Sequence, residues 1–225
     1  AFLRVCSGKF ERDMLVRNAR SGKDVRLTRA MKLFASEREV VDAAFAGDVV
    51  GLANPGTFAI GDTLSSGAPP LAYERIPAFA PEFFAGVRNI DTGGYKSFQK
   101  GVAQLAEEGA IQVLYPAGTV RTEPIFAAVG ELQFEVAKYR LEAEYGVKTE
   151  FTSLPYGLAR HIFGSEEALA AASWPTSAKL VADWEGKAVG LFESDWSLRL
   201  ASEWNPALHF AEFGTSPEAS KEVAG

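Results

Sequence analysis

The chain has 225 residues, of which 47% are apolar and 23% charged, and its formal net charge is −6. This composition is that of a globular protein, and no stretch approaches the roughly 18 consecutive apolar residues that a membrane span needs. A single cysteine excludes an intrachain disulfide, and two distant histidines cannot supply the short-spaced ligands of a zinc site. We therefore expect no membrane partner, no metal and a reducing, cytoplasmic setting.

The charge is unevenly distributed along the chain. Residues 1–40 carry ten Lys and Arg against five Asp and Glu, a net +5, whereas the remainder carries 13 basic and 24 acidic residues, a net −11. A basic lobe on an acidic protein is typical of a surface that neutralises RNA phosphates. A solvated face of a β-domain would show the same bias, so the charge alone leaves both interpretations open.

Residues 1–68 predict a small antiparallel β-barrel domain. Short apolar stretches alternate with turn sequences such as Ser21-Gly22-Lys23, Ala46-Gly47-Asp48 and Gly61-Asp62, in which glycine supplies positive φ. We interpret residues 37–44 as an irregular connection of the barrel. Residues 65–70, Ser-Ser-Gly-Ala-Pro-Pro, read as a linker because two prolines stiffen the chain and remove backbone donors.

Residues 73–213 predict an α+β domain that runs through the order βαββαβ twice. Apolar residues recur with helical spacing over 95–105 and 134–145, and Gly109 and Gly146 mark the ends of these helices. The first unit covers residues 73–154 and the second 155–213, with helices expected over 166–173 and 195–204. Residues 214–225 are small and polar, and we expect a disordered tail.

No catalytic chemistry is evident in the sequence. Gly8-Lys9 and Gly22-Lys23 lack the remainder of a phosphate-binding P-loop, and no dinucleotide-binding glycine motif is present. Cys6 falls in a predicted strand and is expected to be a small buried residue. His161 and His209 are expected to be surface or hydrogen-bonded core residues. We therefore predict no catalytic, cofactor-binding or metal-binding residue.

Several segments resemble the bacterial class II peptide chain release factors, which are translational GTPases. In the first domain these are residues 6–12, 22–27, 46–52 with A-G-D and 60–64 with G-D-T-L. In the second they are residues 79–82 (F-A-P-E), 105–110 (L-A-E-E-G-A) and 129–136 (V-G-E-L-Q-F-E-V). Gln133-Phe134 resembles the release factors more than elongation factor G, which carries G-E-L-H at this point.

This resemblance implies a translation-factor-like β-barrel, domain II, followed by domain III built from two ferredoxin-like units. The family's GTP-binding domain and first barrel strands have no counterpart before Ala1, so we expect a fragment with a barrel open at one edge. The fragment would not be an enzyme, and GTP or GDP with Mg would bind in the absent domain. The full-length protein would promote departure of class I release factors during translation termination.

The implied partners are the ribosome and its small-subunit rRNA. The turn residues Lys9 and Lys23 are the first candidates for rRNA contact, because turns project furthest. The full set of candidate rRNA-binding residues is Lys9, Arg12, Arg17, Arg20, Lys23, Arg26 and Arg29. Two alternatives remain at this point. One is another translational GTPase, such as an elongation factor G relative or a ribosomal protection protein; the other is a small α/β enzyme that uses acidic residues.

Overall fold

The computed structural model describes residues 1–28, 30–34, 37–53, 57–67, 71–73, 79–117 and 123–213. Contacts divide the chain into two compact units, Ala1–Ile76 (unit 1) and Pro77–Gly225 (unit 2). Within the described residues, no helix combines the length and apolar character needed to cross a membrane. The predicted tail, residues 214–225, lies outside the described part of the chain.

Unit 1 is built from short antiparallel strands. They are β1 (Phe2–Arg4), β2 (Lys9–Glu11), β3 (Leu15–Asn18), β4 (Asp24–Arg26), β5 (Met31–Phe34), β6 (Glu37–Val40), β7 (Ala43–Phe45), β8 (Val49–Gly51) and β9 (Leu64–Ser65). They pair in the orders β1-β8-β5-β6, β2-β7 and β4-β3-β9. Alternate side chains point inward, so Phe10, Val16, Ala44 and Val50 meet in one buried cluster.

The A-G-D sequence makes the tight turn between β7 and β8. Gly47 has a φ of +100°, a conformation that side chains disfavour. The Asp48 carboxylate accepts a hydrogen bond from the Phe45 amide at 2.9 Å. The Val5 amide donates to the Asp48 carbonyl, and the Val5 carbonyl accepts from the Gly47 amide. The turn therefore holds the chain segment between β1 and β2 in place.

The prediction for residues 37–44 is wrong, because this stretch forms strands rather than an irregular connection. β6 pairs with β5, and β7 pairs with β2 through Phe10 and Ala44. Ala44 is fully buried in the unit 1 cluster. Backbone pairing and burial therefore decide the conformation of this stretch.

Six of the described strands of unit 1 have a neighbour on one side only, and three of these, β1, β2 and β9, contribute residues to one cleft. β1 pairs with β8 alone, and β9 pairs with β3 alone. A cleft of about 400 Å³ is lined by residues of both strands, among them Leu3 and Leu64, and by the apolar side chains of Phe10 and Val16. The described part of unit 1 is thus a group of antiparallel sheets around a common core, with unpaired strand edges beside the cleft.

Unit 2 alternates strands and helices. Its elements are β10 (Phe83–Asn89), α1 (Tyr95–Glu107), β11 (Gln112–Pro116), β12 (Ile125–Ala128), α2 (Leu132–Tyr145), β13 (Thr149–Ser153), β14 (Leu158–Phe163), α3 (Glu166–Ala170), β15 (Ala178–Ala182), β16 (Ala188–Phe192), α4 (Asp195–Trp204) and β17 (His209–Ala211). A short 3-10 turn, Thr92–Gly94, precedes α1. The prediction of two successive βαββαβ units is confirmed by this order.

The described strands of unit 2 form one eight-stranded sheet of order β13-β10-β12-β11-β15-β16-β14-β17. Each repeat places its first strand between its third and fourth, as in the split βαβ arrangement. The repeats meet where β11 pairs antiparallel with β15, through Tyr115 with Ala182 and Pro116 with Val181. The sequence predicted the repeats but contained no indication of this junction.

The helices of unit 2 follow from apolar spacing and local capping. Phe98, Val102 and Leu105 form the buried face of α1. Gly146 ends α2 with a φ of 65°, and its amide donates to the carbonyl of Glu142. Ser194 starts α4, because its hydroxyl accepts from the Ser197 amide.

Candidate nucleic-acid interface

Four of the predicted basic residues lie on one β-hairpin of unit 1. Arg17 belongs to β3, Arg20 and Lys23 to the turn, and Arg26 to β4. In the β3–β4 register Arg17 faces Asp24, and their neighbours Val16 and Val25 point toward the core. Strand alternation therefore places Arg17 and Arg26 on the solvent face, and all four basic residues are exposed.

The hairpin turn is held from inside by Asn18, which is completely buried. Its side-chain oxygen accepts hydrogen bonds from the amides of Arg20 and Ser21 at 2.9 and 3.2 Å. Gly22 then adopts a φ of 64°, and the backbone amide of Asn18 closes the turn on the Lys23 carbonyl at 2.9 Å. The positions of Arg20 and Lys23 thus depend on a buried side chain.

Asp62 anchors the same turn from a distant part of the chain. Its carboxylate accepts from Asn18 Nδ2 at 2.7 Å, from Arg20 Nε and Nη2 at 2.5 and 2.9 Å, and from the Ala59 amide at 3.0 Å. Burial alone would raise the pKa of Asp62. The hydrogen bonds from Arg20, Ala59 and Asn18 outweigh burial, so its pKa lies below its ordinary value.

Several of the predicted cations are paired with carboxylates. Lys9 Nζ lies 2.8 Å from Glu11 Oε1, and Arg12 Nη1 lies 2.9 Å from Asp42 Oδ1. The hydrogen bond from Lys9 lowers the pKa of Glu11. These exposed pairs lower the positive potential that Lys9 and Arg12 present to a partner.

No carboxylate offsets the positive charge of Lys23 or Arg26 in the described structure. Among the described residues Lys23 forms no ion pair, and Arg26 Nη1 donates to the Asp13 carbonyl at 2.8 Å rather than to a carboxylate. Arg17 is intermediate, 3.7 Å from Asp24. Arg29 lies outside the described residues. Over residues 1–76 the sequence has 11 Lys and Arg against nine Asp and Glu, so the net charge of unit 1 is +2.

Asn18 and Asp62 are the residues of this surface whose role sequence reasoning missed. The sequence patterns assign Asp62 to the Gly61-Asp62 turn and to the G-D-T-L resemblance, and they assign no role to Asn18. The two residues are 44 positions apart in the chain, so no local pattern connects them. The available signal was a polar Asn two residues after Val16, at a strand position where alternation places a side chain toward the core.

The other chemically interesting residues do not form a site. Cys6 was predicted to be a buried strand residue, but it is exposed and follows β1, because the chain leaves that strand at Val5. His209 is exposed. Within the described residues, no group of three or more His, Cys, Asp or Glu side chains converges as metal ligands do.

His161 departs from both environments expected for it. Its ring stacks on Phe213 with centroids 4.2 Å apart, and its buried Nδ1 has no hydrogen-bond partner among the described residues. Burial is the main cause of its pKa lying below the ordinary value. A neutral imidazole packed against an aromatic ring accounts for this geometry, and no nucleophile contacts it in the described structure.

Comparison with known proteins matches two families to successive parts of the chain, and the contact boundary after Ile76 lies within ten residues of the gap between the two matches. Residues 1–67 match the family described as "Elongation factor G domain 2". Residues 73–202, more than half of the chain, match "Class II release factor RF3, C-terminal domain". The chain belongs to the class II release factor family. The fold prediction is confirmed, because a translation-factor β-domain precedes an α+β domain of the release factor type.

Individual members of the release factor family are strongly similar to this chain. Peptide chain release factor 3 of Gloeobacter violaceus is 53% identical over 213 residues, which are 94% of this chain and 40% of that protein. The Nostoc punctiforme and Microcystis aeruginosa proteins of the same name are 52% and 50% identical, each over 92% of this chain and 38% of their own length. The chain therefore spans about 40% of the length of these relatives.

A solved structure shares the fold at lower similarity. A crystal structure of a Thermus thermophilus protein matches with a TM-score of 0.57 and 20% sequence identity. The match covers 81% of this chain and 28% of that one. At this identity the comparison supports the arrangement of strands and helices and carries no conclusion about activity.

Proposed function

We propose that this chain is the ribosome-docking part of a translational GTPase that acts in translation termination. The two family matches, in this order along one chain, are the observation that carries the proposal. The full-length factor would act in the cytoplasm and promote release of class I release factors from the ribosome. GTP or GDP with Mg would bind in a separate domain, because this sequence contains no P-loop.

The chain itself would contribute binding and conformational coupling rather than catalysis. Unit 1 would contact small-subunit rRNA, and both units would transmit the contact to the nucleotide-binding domain as bodies with well-packed cores. An elongation factor G relative shares the domain of residues 1–67, but the release factor match over residues 73–202 favours termination.

We propose that the β3–β4 hairpin is the rRNA contact within unit 1. Lys9, Arg12, Arg17, Arg20, Lys23, Arg26 and Arg29 were the sequence candidates, and the ion pairs described above support a narrower choice. Lys23 stands foremost, since it is exposed in a turn and has no carboxylate partner in the described structure. Arg20 would be held in place by Asp62, and Lys9 would contribute less because Glu11 offsets its charge.

Ribosome binding over a salt series tests this proposal. We expect the chain to cosediment with purified 70S ribosomes and Lys23→Glu to weaken binding, since removing one phosphate interaction flattens the log–log salt slope by about 1. Lys9→Glu should have a smaller effect. Lys100→Glu, an exposed change of the same charge on α1, is the control and should leave affinity unchanged. Equal effects of Lys23→Glu and Lys100→Glu would contradict the rRNA assignment.

A further inference from the structure

Helix α2 of unit 2 has a second apolar face that points to solvent. Ala137 and Leu141 are buried against α1 and the sheet, as expected for a core helix. Leu132, Val136 and Tyr139 lie on another side and are 74%, 56% and 72% exposed. Their spacing of four and three residues puts them on one stripe over two helical turns. We call these three residues the α2 stripe.

A shallow apolar groove runs beside the α2 stripe. It has a volume of about 170 Å³ and is lined by Leu105, Ala110, Leu132, Gln133, Val136 and Ala137. One wall is the end of α1 and the other is the stripe itself. Proteins that bind an amphipathic helix commonly do so in an apolar groove between two of their own helices, which takes up a ridge of apolar side chains from the ligand. The groove between α1 and α2 has this form.

The surroundings of the α2 stripe are acidic. Glu131, Glu135 and Glu142 flank one side, exposed and without ion pairs in the described part of the chain, and Lys138 is the one cation beside them on this part of the described helix. On the other side Arg140 binds both Glu108 and Glu144, at 2.6 and 2.7 Å, which leaves one net negative charge. A partner on this surface gains electrostatic attraction if Lys and Arg border its apolar side.

We propose that the α2 stripe is a docking site for a basic amphipathic protein segment that binds as a helix. The exposed apolar area supplies the attraction, and the surrounding carboxylates select positive charge. RNA does not fit, because its phosphates would meet unpaired carboxylates. A second copy of this chain fits poorly, since pairing two α2 stripes brings the same acidic flanks together. The inference depends on the surface of unit 2 and is independent of ribosome binding.

A pair of designed peptides tests the charge and shape requirements. Each is a fluorescein-labelled helix of about 20 residues with leucines on one face, and its remaining positions are lysine in one peptide and glutamate in the other. Fluorescence anisotropy with the 225-residue chain should show saturable binding of the lysine peptide alone. Absence of binding, or equal binding of both peptides, would overturn the proposal.

Matched variants place the binding on the α2 stripe. Leu132→Ser and Tyr139→Ser should each weaken lysine-peptide binding about tenfold, a loss typical of an apolar anchor. Trp196→Ser is the control, because Trp196 is a large side chain on α4, 63% exposed. If Trp196→Ser weakened lysine-peptide binding to the same extent, the binding would be non-specific apolar association, and the assignment to the α2 stripe would be refuted.

The acidic flank is tested in the same assay. Glu135→Gln with Glu142→Gln should weaken binding and flatten its salt dependence, whereas Glu203→Gln on α4 should change neither. Sedimentation of the chain without peptide completes the test. If the chain sediments as a dimer and Leu132→Ser is a monomer, the α2 stripe binds a second copy of the chain, and the assignment to a basic partner is overturned.

Discussion

Asp62 illustrates how much of the candidate interface depends on one buried side chain. It joins Asn18, Arg20 and Ala59 and is itself 5% exposed. Arg20 is therefore more than a surface cation, because its guanidinium satisfies a buried carboxylate while 38% of its side chain remains exposed. The hairpin that presents Lys23 depends on this network, so a binding surface and a stability determinant share the same residues.

Replacing Asp62 by Asn should loosen the β3–β4 hairpin. An amide cannot accept both hydrogen bonds of the Arg20 fork, and we expect a loss of about 2 kcal/mol in stability at neutral pH. Hydrogen exchange of residues 15–26, monitored by mass spectrometry, reports this loss locally. Asp24→Asn, an exposed member of a 3.7 Å pair, is the control and should cost at most about 0.5 kcal/mol.

The cost of Asp62→Asn should also depend on pH. The pKa of Asp62 is lower in the folded state, so its carboxylate stabilises the fold above the unfolded-state pKa of about 3.9. That contribution disappears as the pH falls through the folded-state pKa. The wild type and the variant should therefore converge in acid, and a difference that persists undiminished below that pH would show that the carboxylate charge is not the cause.

At the scale of residues, sequence reasoning found exposed charges better than their partners. It identified Lys23 because a Gly-Lys turn is a local pattern. It could not find that Glu11 offsets Lys9 or that Arg20 binds Asp62, because these contacts depend on strand register and on chain segments 42 residues apart. The buried Nδ1 of His161 was equally unpredictable, since its neighbour Phe213 follows β17, a strand distant in sequence that pairs with β14 only in the fold.

At the scale of elements, predictions succeeded where periodicity and capping agreed. Helix α4 was predicted with the bounds it has, and the strong stops Gly109 and Gly146 fixed the ends of α1 and α2. Residues 37–44 failed, because strands of three or four residues are too short to show alternation. Their conformation is decided by pairing with β5 and β2, which sequence alone does not reveal.

Gly101 shows a requirement of helix packing that no sequence pattern revealed. It is buried in α1, and a Cβ there would lie 2.6 Å from Leu141 Cδ2 and 3.0 Å from Tyr145 Cδ2 on α2. Alanine improves helix propensity by about 1 kcal/mol, whereas overpacking a core costs about 1–3 kcal/mol. We expect Gly101→Ala to lower the free energy of unfolding by about 1 kcal/mol, measured by urea denaturation and circular dichroism.

The control for Gly101→Ala is Ser97→Ala, one turn away on the exposed side of α1. Because Ser97 is exposed, its replacement changes helix propensity without adding a methyl group to a buried contact, and it should stabilise the chain slightly, by about 0.5 kcal/mol or less. If Gly101→Ala also stabilises the chain, α1 and α2 tolerate a methyl group between them, and close approach at Gly101 is not a requirement of this helix pair.

At the scale of the whole molecule, unit 2 behaves in its packing as one body rather than two repeats. A single buried cluster contains Phe84, Leu114, Ile125 and Ala127 from the first repeat and Ala159, Val181, Val189 and Leu191 from the second. The rings of Tyr115 and Trp184 also meet across the junction, with centroids 6.2 Å apart and planes tilted by 38°. The sequence predicted the repeated order, but the shared core arises only when β11 and β15 become neighbours.

This shared core predicts that the two repeats lose stability together. Val181→Ala removes two methyl groups from a fully buried position of β15 at the junction and should cost about 2 kcal/mol. Because the first repeat buries Leu114 and Ile125 in the same cluster, we expect the slowest-exchanging amides of β10–β13 and of β14–β17 to lose protection by the same factor. Hydrogen exchange by nuclear magnetic resonance measures both sets in one sample.

Val136→Ala, a similar truncation at an exposed position of α2, should leave both sets nearly unchanged. Loss of protection confined to β14–β17 would mean that the repeats open independently and that the continuous sheet does not couple them.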